Sequence, residues 1–520
     1  MLALAYSQSL FAAEQITESV SILVSDFLEL FLEPIVEFLA FIFLGSPYEL
    51  FGSIYTITIF QIPVIVLWLI IGGIFFTFKL RFINLRLFAH AISVVRGKYS
   101  EDSKNAPGKI SHAQALFTAV SATVGLGNIA GVAIAVSIGG PGAVIWMMIA
   151  AFFGMSTKFA EVTMGQRYRK FTKEGHLKAG SFYYLEDGLS KRGLRRLGKH
   201  LGKISAFCCV LGAMGAGLIF QSNQSVAIIA DSFNLSTVSK FILVIALTLS
   251  VAFILLGGIG RIGKIAEKIV PFMAITYVVC CITVLVANYA HVDDAIRIMF
   301  NSAFVGDAVY GGIIGAIIQG VKRAAFSNEA GLGSAPIAHA AAKTTEPVRE
   351  GAVAILEPFI DTIIICFMTG IVITVTGVYE NSGLNDGVLL TKEAFATVSP
   401  WFPYVLSFIV FLFAFSTILT YSYYGQQAWQ YITKSSDFRV CHVVFALCVF
   451  VGGLLNIGIV IDLADILFLT MAVPNLIGLY IMSGEIKEET DKYVLKLKSG
   501  EFDKPWKSKP KSRVKKKAKA

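Results

Sequence analysis

Ser121-Ala-Thr-Val-Gly-Leu-Gly-Asn-Ile-Ala-Gly131 lies in the middle of an apolar run from about Ala113 to Ile138. A run of that length can cross a bilayer, because about 20 helical residues rising ~1.5 Å each span the ~30 Å hydrocarbon core. Its centre nevertheless holds Gly125 and Gly127, with Ser121, Thr123 and Asn128 beside them. A glycine weakens a helix by about 1 kcal/mol relative to alanine. Two of them at mid-depth, flanked by hydroxyls and an amide, predict a helix that unwinds there. Freed backbone groups are tolerated in a membrane only where they line a cavity or face protein, and a broken helix with polar company is the usual binding site of a secondary transporter. Close helix packing competes with this reading, since Gly127 and Gly131 form a G-x-x-x-G pair. Gly125 to Ala130 also matches a dinucleotide fingerprint, but that motif needs a preceding strand, and the apolar helical context excludes it.

The rest of the composition agrees with a membrane setting. Of 520 residues, 55% are hydrophobic and only 15% charged, against about 25% charged in soluble proteins, and the mean hydropathy is +0.70. The chain reads as an all-α polytopic membrane protein. Its net charge of +9 resides in loops and at the C-terminus, so no nucleic-acid partner is implied. The seven cysteines all fall in apolar runs without a C-x-x-C pair. They read as small core residues, not a zinc site or disulfide framework.

Residues 1–56 read as an extracytoplasmic or interfacial segment, since the stretch 14–45 within them is acidic and amphipathic. Eleven spanning candidates follow, at approximately 58–78, 113–138, 142–164, 205–230, 239–259, 265–289, 305–321, 352–377, 400–424, 439–461 and 463–483. Placing 79–112 in the cytoplasm puts the basic loops on one side: 165–204, Arg261/Lys264, Lys322/Arg323/Lys343/Arg349, Lys434/Arg439 and the lysine-rich tail. By the positive-inside rule the N-terminus is then outside and the C-terminus cytoplasmic. The transporter domain covers 57–484, with an extra helix and connection at 57–112, repeat one at 113–290 and repeat two at 291–484. A basic tail at 485–520 completes the chain, and its stretch Lys507–Lys519 reads as disordered and drawn to anionic lipid. Long loops follow the second helix of each half on opposite faces, the mark of a 5+5 inverted repeat. If the first helix of repeat one is broken, that of repeat two should be also, and Ile318 to Ser334 is expected to interrupt it.

A helix interrupted at mid-depth offers N–H groups to a carboxylate and C=O groups to a cation. Thr123 to Asn128 offers both, so a zwitterionic amino acid with a small cation is the natural ligand pair. No carboxylate lies at the centre of 113–138, where an unpaired one would cost on the order of 3 kcal/mol. Neutral oxygens favour Na⁺ over H⁺ as coupling ion, and no other cofactor is expected. Moving one charge down 100 mV supplies about 2.3 kcal/mol, enough for useful accumulation. Ser416 and Thr417 facing Ser121 would complete an oxygen cage. Gln221, Asn223 and Gln224 bond neighbouring helices or, in at least one case, line the ligand site. Glu357 and Asp361, four apart on one helical face, suit a paired gate as well as an ion site. Glu161 and Glu329 read as cytoplasmic-end residues with basic neighbours. His112 and His339 are single, with no chemistry assigned.

These residues resemble the alanine/glycine:cation symporter family over about Phe75 to Tyr480. The motifs are Phe76-Thr-Phe with Arg81-Phe; Ala115 through Ala133 around Val124-Gly-Leu-Gly-Asn; Gly139-Gly-Pro-Gly-Ala; Lys158-Phe-Ala-Glu-Val-Thr; Gly180-Ser-Phe-Tyr-Tyr-Leu-Glu; Phe326-Ser-Asn-Glu-Ala-Gly-Leu-Gly-Ser-Ala-Pro; Glu357-x-Phe-Ile-Asp-Thr; and Phe413-Ala-Phe-Ser-Thr-Ile-Leu-x-Tyr. The resemblance implies a leucine-transporter-type fold with an added N-terminal helix. It implies a sodium site from Ser121, Val124, Phe413, Ser416 and Thr417, with Val124 and Phe413 acting through backbone carbonyls. Gly125, Gly127 and Asn128 would hold the substrate carboxylate region, with Thr123 beside them and Gln221 as pocket wall. Gln319 and Tyr421 stand where aromatic residues and tryptophan are common in the family, which would enlarge or polarise the pocket.

The resulting expectation is a sodium-coupled symporter of the bacterial inner membrane, not an enzyme. It would carry small neutral amino acids, alanine or glycine first, by alternating access. Glutamine or serine as cargo, or a polar-solute channel, are the alternatives.

Overall fold

The computed structural model describes most of residues 62–503, leaving out 100–105, 173–176, 256–258, 306–311, 381–386 and 436, together with parts of 30–59. The acidic segment before residue 30 and the lysine-rich tail from 504 lie outside the described residues. The chain is almost entirely helical. Among the described residues the strands form three two-stranded antiparallel hairpins: Tyr48–Leu50 with Ser53–Tyr55, Thr58–Ile59 with Ile62–Pro63, and Lys170–Phe171 with Leu177–Lys178.

The first expected span starts later than its apolar run, because Thr58–Ile59 is strand and Pro63 holds extended backbone (φ −54°, ψ 140°) before α1, Val64–Lys79. After α2, Phe88–Val95, comes α3, His112–Thr123. Ser111 starts α3 with a reciprocal cap: its hydroxyl accepts from the Gln114 N–H at 3.1 Å, and the Gln114 side chain accepts from the Ser111 N–H at 3.0 Å. At Val124 the backbone leaves the helix (ψ 85°). It re-enters through a wide π-type turn, Gly127–Gly131, and continues as α4, Val132–Gly139, so that the two halves meet at 55°. Wide turns of this kind leave backbone groups without their usual partners and concentrate at functional sites.

The helices that follow are α5 (Gly142–Tyr168), α6 (Ser181–Ser190) and α7 (Arg195–Gly212). A second wide turn, Ala213–Ile219, joins α7 to α8 (Phe220–Ser232). Next come α9 (Thr237–Leu255), α10 (Ile259–Ala287), α11 (Val292–Phe304) and α12 (Gly312–Asn328). Beyond α12 the chain is irregular until one turn, α13 (Pro336–His339), and then α14 (Pro347–Ala354). A third wide turn, Phe359–Cys366, leads to α15 (Phe367–Thr376). The last are α16 (Val388–Ala396), α17 (Phe402–Thr433), α18 (Arg439–Gly452), α19 (Ile457–Leu469) and α20 (Ala472–Lys498).

Among the described residues six helices are long and apolar enough to cross a membrane, or seven if the bent α3–α4 pair counts as one span. Val64–Lys79, Thr237–Phe253 and Arg439–Gly452, which fall within expected spans, are apolar but shorter than that length.

Three expectations are corrected. The second break does not begin at Ile318. α12 runs unbroken to Asn328, because this stretch has a single glycine, Gly320, among good helix formers. The irregular segment is Glu329–Ala335, where Glu329 (φ 58°), Gly331 (φ 95°) and Gly333 (φ 79°) all take left-handed backbone. Lys322 and Arg323 are not loop charges. They are buried within α12, both paired with Asp465 of α19, the lysine at 3.0 Å. Finally, α20 continues well past residue 484 instead of giving way to a tail there.

α5 is the spine of one side of the molecule, packed against α12, α14 and α1, while α3 packs against α10 and α17. The first break is held between these groups.

Candidate functional site

The first break is buried on all sides. Ser121, Thr123, Asn128 and Gln221 are each no more than 3% exposed. Its inner half meets α17 through a set of neutral oxygens. The Thr417 hydroxyl donates to the Ser121 carbonyl at 3.2 Å, and the Ser121 hydroxyl donates to the Ser416 carbonyl at 3.3 Å. The Ser416 hydroxyl donates to the Phe413 carbonyl at 3.0 Å. Thr420, one turn beyond Ser416, adds its hydroxyl to the Ser121 hydroxyl at 3.1 Å. Ser121, Phe413, Ser416 and Thr417 thus come together, and Val124 is fully buried next to them at the end of α3. Thr420 was not among the expected residues, although its spacing from Ser416 signals the shared face.

Gly125 makes this approach possible. A Cβ built there would lie 2.5 Å from the Thr417 hydroxyl oxygen and 3.1 Å from Gln221 Oε1. The loosened backbone finds side-chain partners. The Gly125 N–H donates to Asn128 Oδ1 at 2.9 Å, and the Leu126 N–H donates to Gln221 Oε1 at 3.0 Å. Gln221 in turn donates to the Ala216 carbonyl at 3.1 Å, inside the second wide turn. Gly127 faces the ring of Phe326, 3.2 Å from where its Cβ would be. That ring packs edge-on against Phe220 and Phe468, and Phe468 against Tyr421, giving an aromatic wall.

Other expected residues lie elsewhere. Thr123 turns its hydroxyl back to the Ala119 and Val120 carbonyls at 3.4 Å. Gln319 packs beside Gly139 at the far end of α4, with its Oε1 buried and unbonded. Asn223 donates to the Gly452 and Leu455 carbonyls, and Gln224 accepts from the Val388 N–H, so both tie helices together. A cavity lined by Leu69, Gly73, Trp146, Phe153, Ala324 and Gly331 lies between α1, α5 and α12, away from the break. It is apolar and faces α1, so the polar chemistry at Val124–Asn128 is the better candidate.

The structure adds a carboxylate that inspection of 113–138 did not supply. Asn128 Nδ2 donates to Asp361 Oδ1 at 2.7 Å and to the Ser327 hydroxyl at 3.0 Å. Ser327 donates to Asp361 Oδ2 at 2.5 Å, and Thr362 to the same oxygen at 2.8 Å. Asp361 is fully buried, and these donors are all neutral. One turn away, Glu357 instead pairs with Lys158 at 3.0 Å. The two carboxylates that share a helical face therefore have different partners. Glu161 and Glu329 are buried at the second break, where Glu161 accepts from Asn475 at 2.6 Å and from the Gly333 N–H at 3.1 Å, and Glu329 accepts from Ser334.

At the mouth beneath α3 the backbone of Lys109–Ile110 bonds Ala341–Lys343. Arg169, just past α5, donates to the carbonyls of Pro107, Ala340, Ala342 and Thr344 at 2.5–2.7 Å. Burial pulls its pKa down to about 10 against the opposing pull of Glu350, so it remains a cation at neutral pH.

A helical membrane protein with a core helix unwound at a buried cluster of backbone and hydroxyl oxygens has the architecture of a cation-coupled amino-acid symporter. Comparison with known proteins narrows this class. The sequence description of the sodium:alanine symporter family matches residues 49–507, and the chain belongs to that family. It is 41% identical over 431 residues to the sodium/alanine symporter AgcS of Methanococcus maripaludis, covering 82% of this chain and 93% of that one. It is 33% identical to Bacillus subtilis GlnT, named a probable sodium/glutamine symporter, covering 82% and 87%. The crystal structure of MhsT in complex with L-phenylalanine superposes with a TM-score of 0.55 at 13% identity, covering 74% of this chain and 92% of that one. This likeness establishes a leucine-transporter-type fold.

Proposed function

We propose that this protein imports small neutral amino acids, alanine or glycine first, together with Na⁺, by alternating access across the bacterial inner membrane. The observation that carries this reading is the oxygen cluster of Ser121, Phe413, Ser416 and Thr417 against the end of α3, reached because residue 125 has no side chain. Neutral oxygens suit a cation of low charge, and the Val124 carbonyl completes the set. The N–H groups of Gly125 and Gly127, with Asn128, take the substrate carboxylate. Gln221 orders that backbone, and Asp361, together with Ser327, fixes the direction of the Asn128 amide. Thr123 and Gln319 then act at a distance, through helix packing. Eleven spans in a 5+5 inverted repeat after an extra helix, with the N-terminus outside and the C-terminus cytoplasmic, complete the picture.

The test is uptake into proteoliposomes. Labelled alanine should accumulate above its equilibrium level with an inward sodium gradient and fail to do so when choline replaces sodium. Uptake that only equilibrates would identify a channel. A competition panel including glutamine, the cargo in the name of GlnT, fixes the substrate order.

A further inference from the structure

Two histidines and two glutamates that take no part in the oxygen cluster join the inner ends of both broken segments. His339, at the end of α13, sits between two carboxylates: its Nδ1 is 2.7 Å from Glu350 Oε1 and its Nε2 is 3.4 Å from Glu357 Oε2. The other oxygen of Glu350 bonds Nδ1 of His112, the first residue of α3. The other oxygen of Glu357 pairs with Lys158 of α5, whose ammonium also donates to the Asn328 carbonyl at 2.7 Å. His339, Glu350, Glu357 and Lys158 are each at most 1% exposed.

Hydrogen-bond logic assigns the protons. An ionised carboxylate only accepts, so His112 donates from Nδ1 to Glu350, while its Nε2 is buried and unbonded. His339 faces a carboxylate with each nitrogen, so the unit of His339, Glu350 and Glu357 holds one further proton. With Lys158 that proton makes the group neutral. The remaining charged neighbours do not replace it. Arg349, on α14, turns to the rings of Tyr99 and Phe502, and Arg169 is engaged with backbone carbonyls. Glu161 on α5 and Glu329 at the second break are buried carboxyl groups and supply no positive charge. Loss of the proton leaves an uncompensated buried anion, which is strongly unfavourable in this surrounding.

The unit binds α13, the base of α3 and α14 into one block. Directly after His339, Ala340, Ala341 and Ala342 pack with Ile110, Ala115, Leu177 and Ala179 as a small apolar cluster of their own. We propose that this alanine cluster is a plug on the inner route to the break, and that His339 with Glu350 and Glu357 is a proton-binding site whose occupancy holds the plug shut and whose deprotonation releases it. The proposal rests on the alternating-access reading above, since it needs an inner route that opens. The proton here is a ligand that regulates opening and is not carried as cargo.

The test is cysteine accessibility in inside-out vesicles of the full-length protein. Ala115→Cys reports on the plug. Lys191→Cys, at an exposed position, corrects for thiol ionisation, and labelling of the parent protein is subtracted. A membrane-impermeant maleimide is the probe. Between about pH 7 and pH 9 the labelling ratio of Ala115→Cys to Lys191→Cys should rise at least about fivefold, the lower end of usual site-to-site coupling. Adding His339→Gln should make the ratio high and flat with pH, whereas His339→Lys should keep it low at both. A ratio that responds to sodium and alanine but not to pH in the otherwise unaltered protein overturns the proton site and spares alternating access. A ratio that responds to none of them overturns both.

Discussion

The two broken segments solve the same problem with opposite chemistry. The first, around Val124–Asn128, satisfies its loosened backbone with neutral groups: hydroxyls from α17 and amides from Asn128 and Gln221. The second, Glu329–Ala335, is surrounded by ions: Lys158, Glu161, Glu329, Glu357 and, just beyond, His339. Neutral oxygens can release and rebind a cation without leaving a bare charge in a low-dielectric interior. Buried ions bind each other firmly, and removing one partner is expensive. The first break therefore suits exchange of ligands, whereas the second suits a latch that stays closed while its charges balance and gives way when one is lost.

Mutations can break or sharpen this contrast. The largest expected effect is at the ionic break. Lys158→Met should lower stability in detergent by about 3 kcal/mol by taking from the buried Glu357 its ammonium partner, and the double change with Glu357→Gln should recover part of it. Thermal unfolding of the purified protein checks this; a melting temperature unchanged by Lys158→Met would erase the distinction. Next, Gly125→Leu should reduce uptake by about 100-fold, from overpacking worth up to about 3 kcal/mol against Thr417 and Gln221, while the protein still inserts. Uptake beside surface expression measures it. The smallest effect belongs to Thr417→Ala, which should raise the sodium concentration for half-maximal uptake by about tenfold, the worth of one hydrogen-bonding group to a charge. Its alanine affinity at saturating sodium should stay unchanged, and its melting temperature should shift little. If sodium dependence is unaffected, the cation does not use this oxygen cluster.

How much of this was legible in the sequence follows from which contacts are local. The break at Gly125 and Gly127 could be read directly, because helix propensity and polar neighbours are properties of a short stretch. Ser416 and Thr417 could be proposed as partners of Ser121 from residue type alone, since few hydroxyls fall together in an apolar run. The second break was placed too early. Its sequence holds charges at Lys322 and Arg323 that look like a loop, and only Asp465, far along the chain, makes them tolerable in a helix. The uninterrupted turn of α12 then carries Gln319 toward Gly139, away from Gln221. Asp361 was visible as one of a helical pair with Glu357, but which of them faces Asn128 depends on the wide turn Phe359–Cys366, which contains Asp361 and begins just after Glu357. His112 and His339 were each single in the sequence, and it takes Glu350 to join them.

The burial of Arg323 against Asp465 carries an electrical consequence. A membrane potential of 100 mV is worth about 2.3 kcal/mol for each elementary charge that traverses the whole field. Any sliding of α12 against α19 during turnover would displace a guanidinium within that field, so turnover would carry a small charge movement of its own beside that of the transported ion.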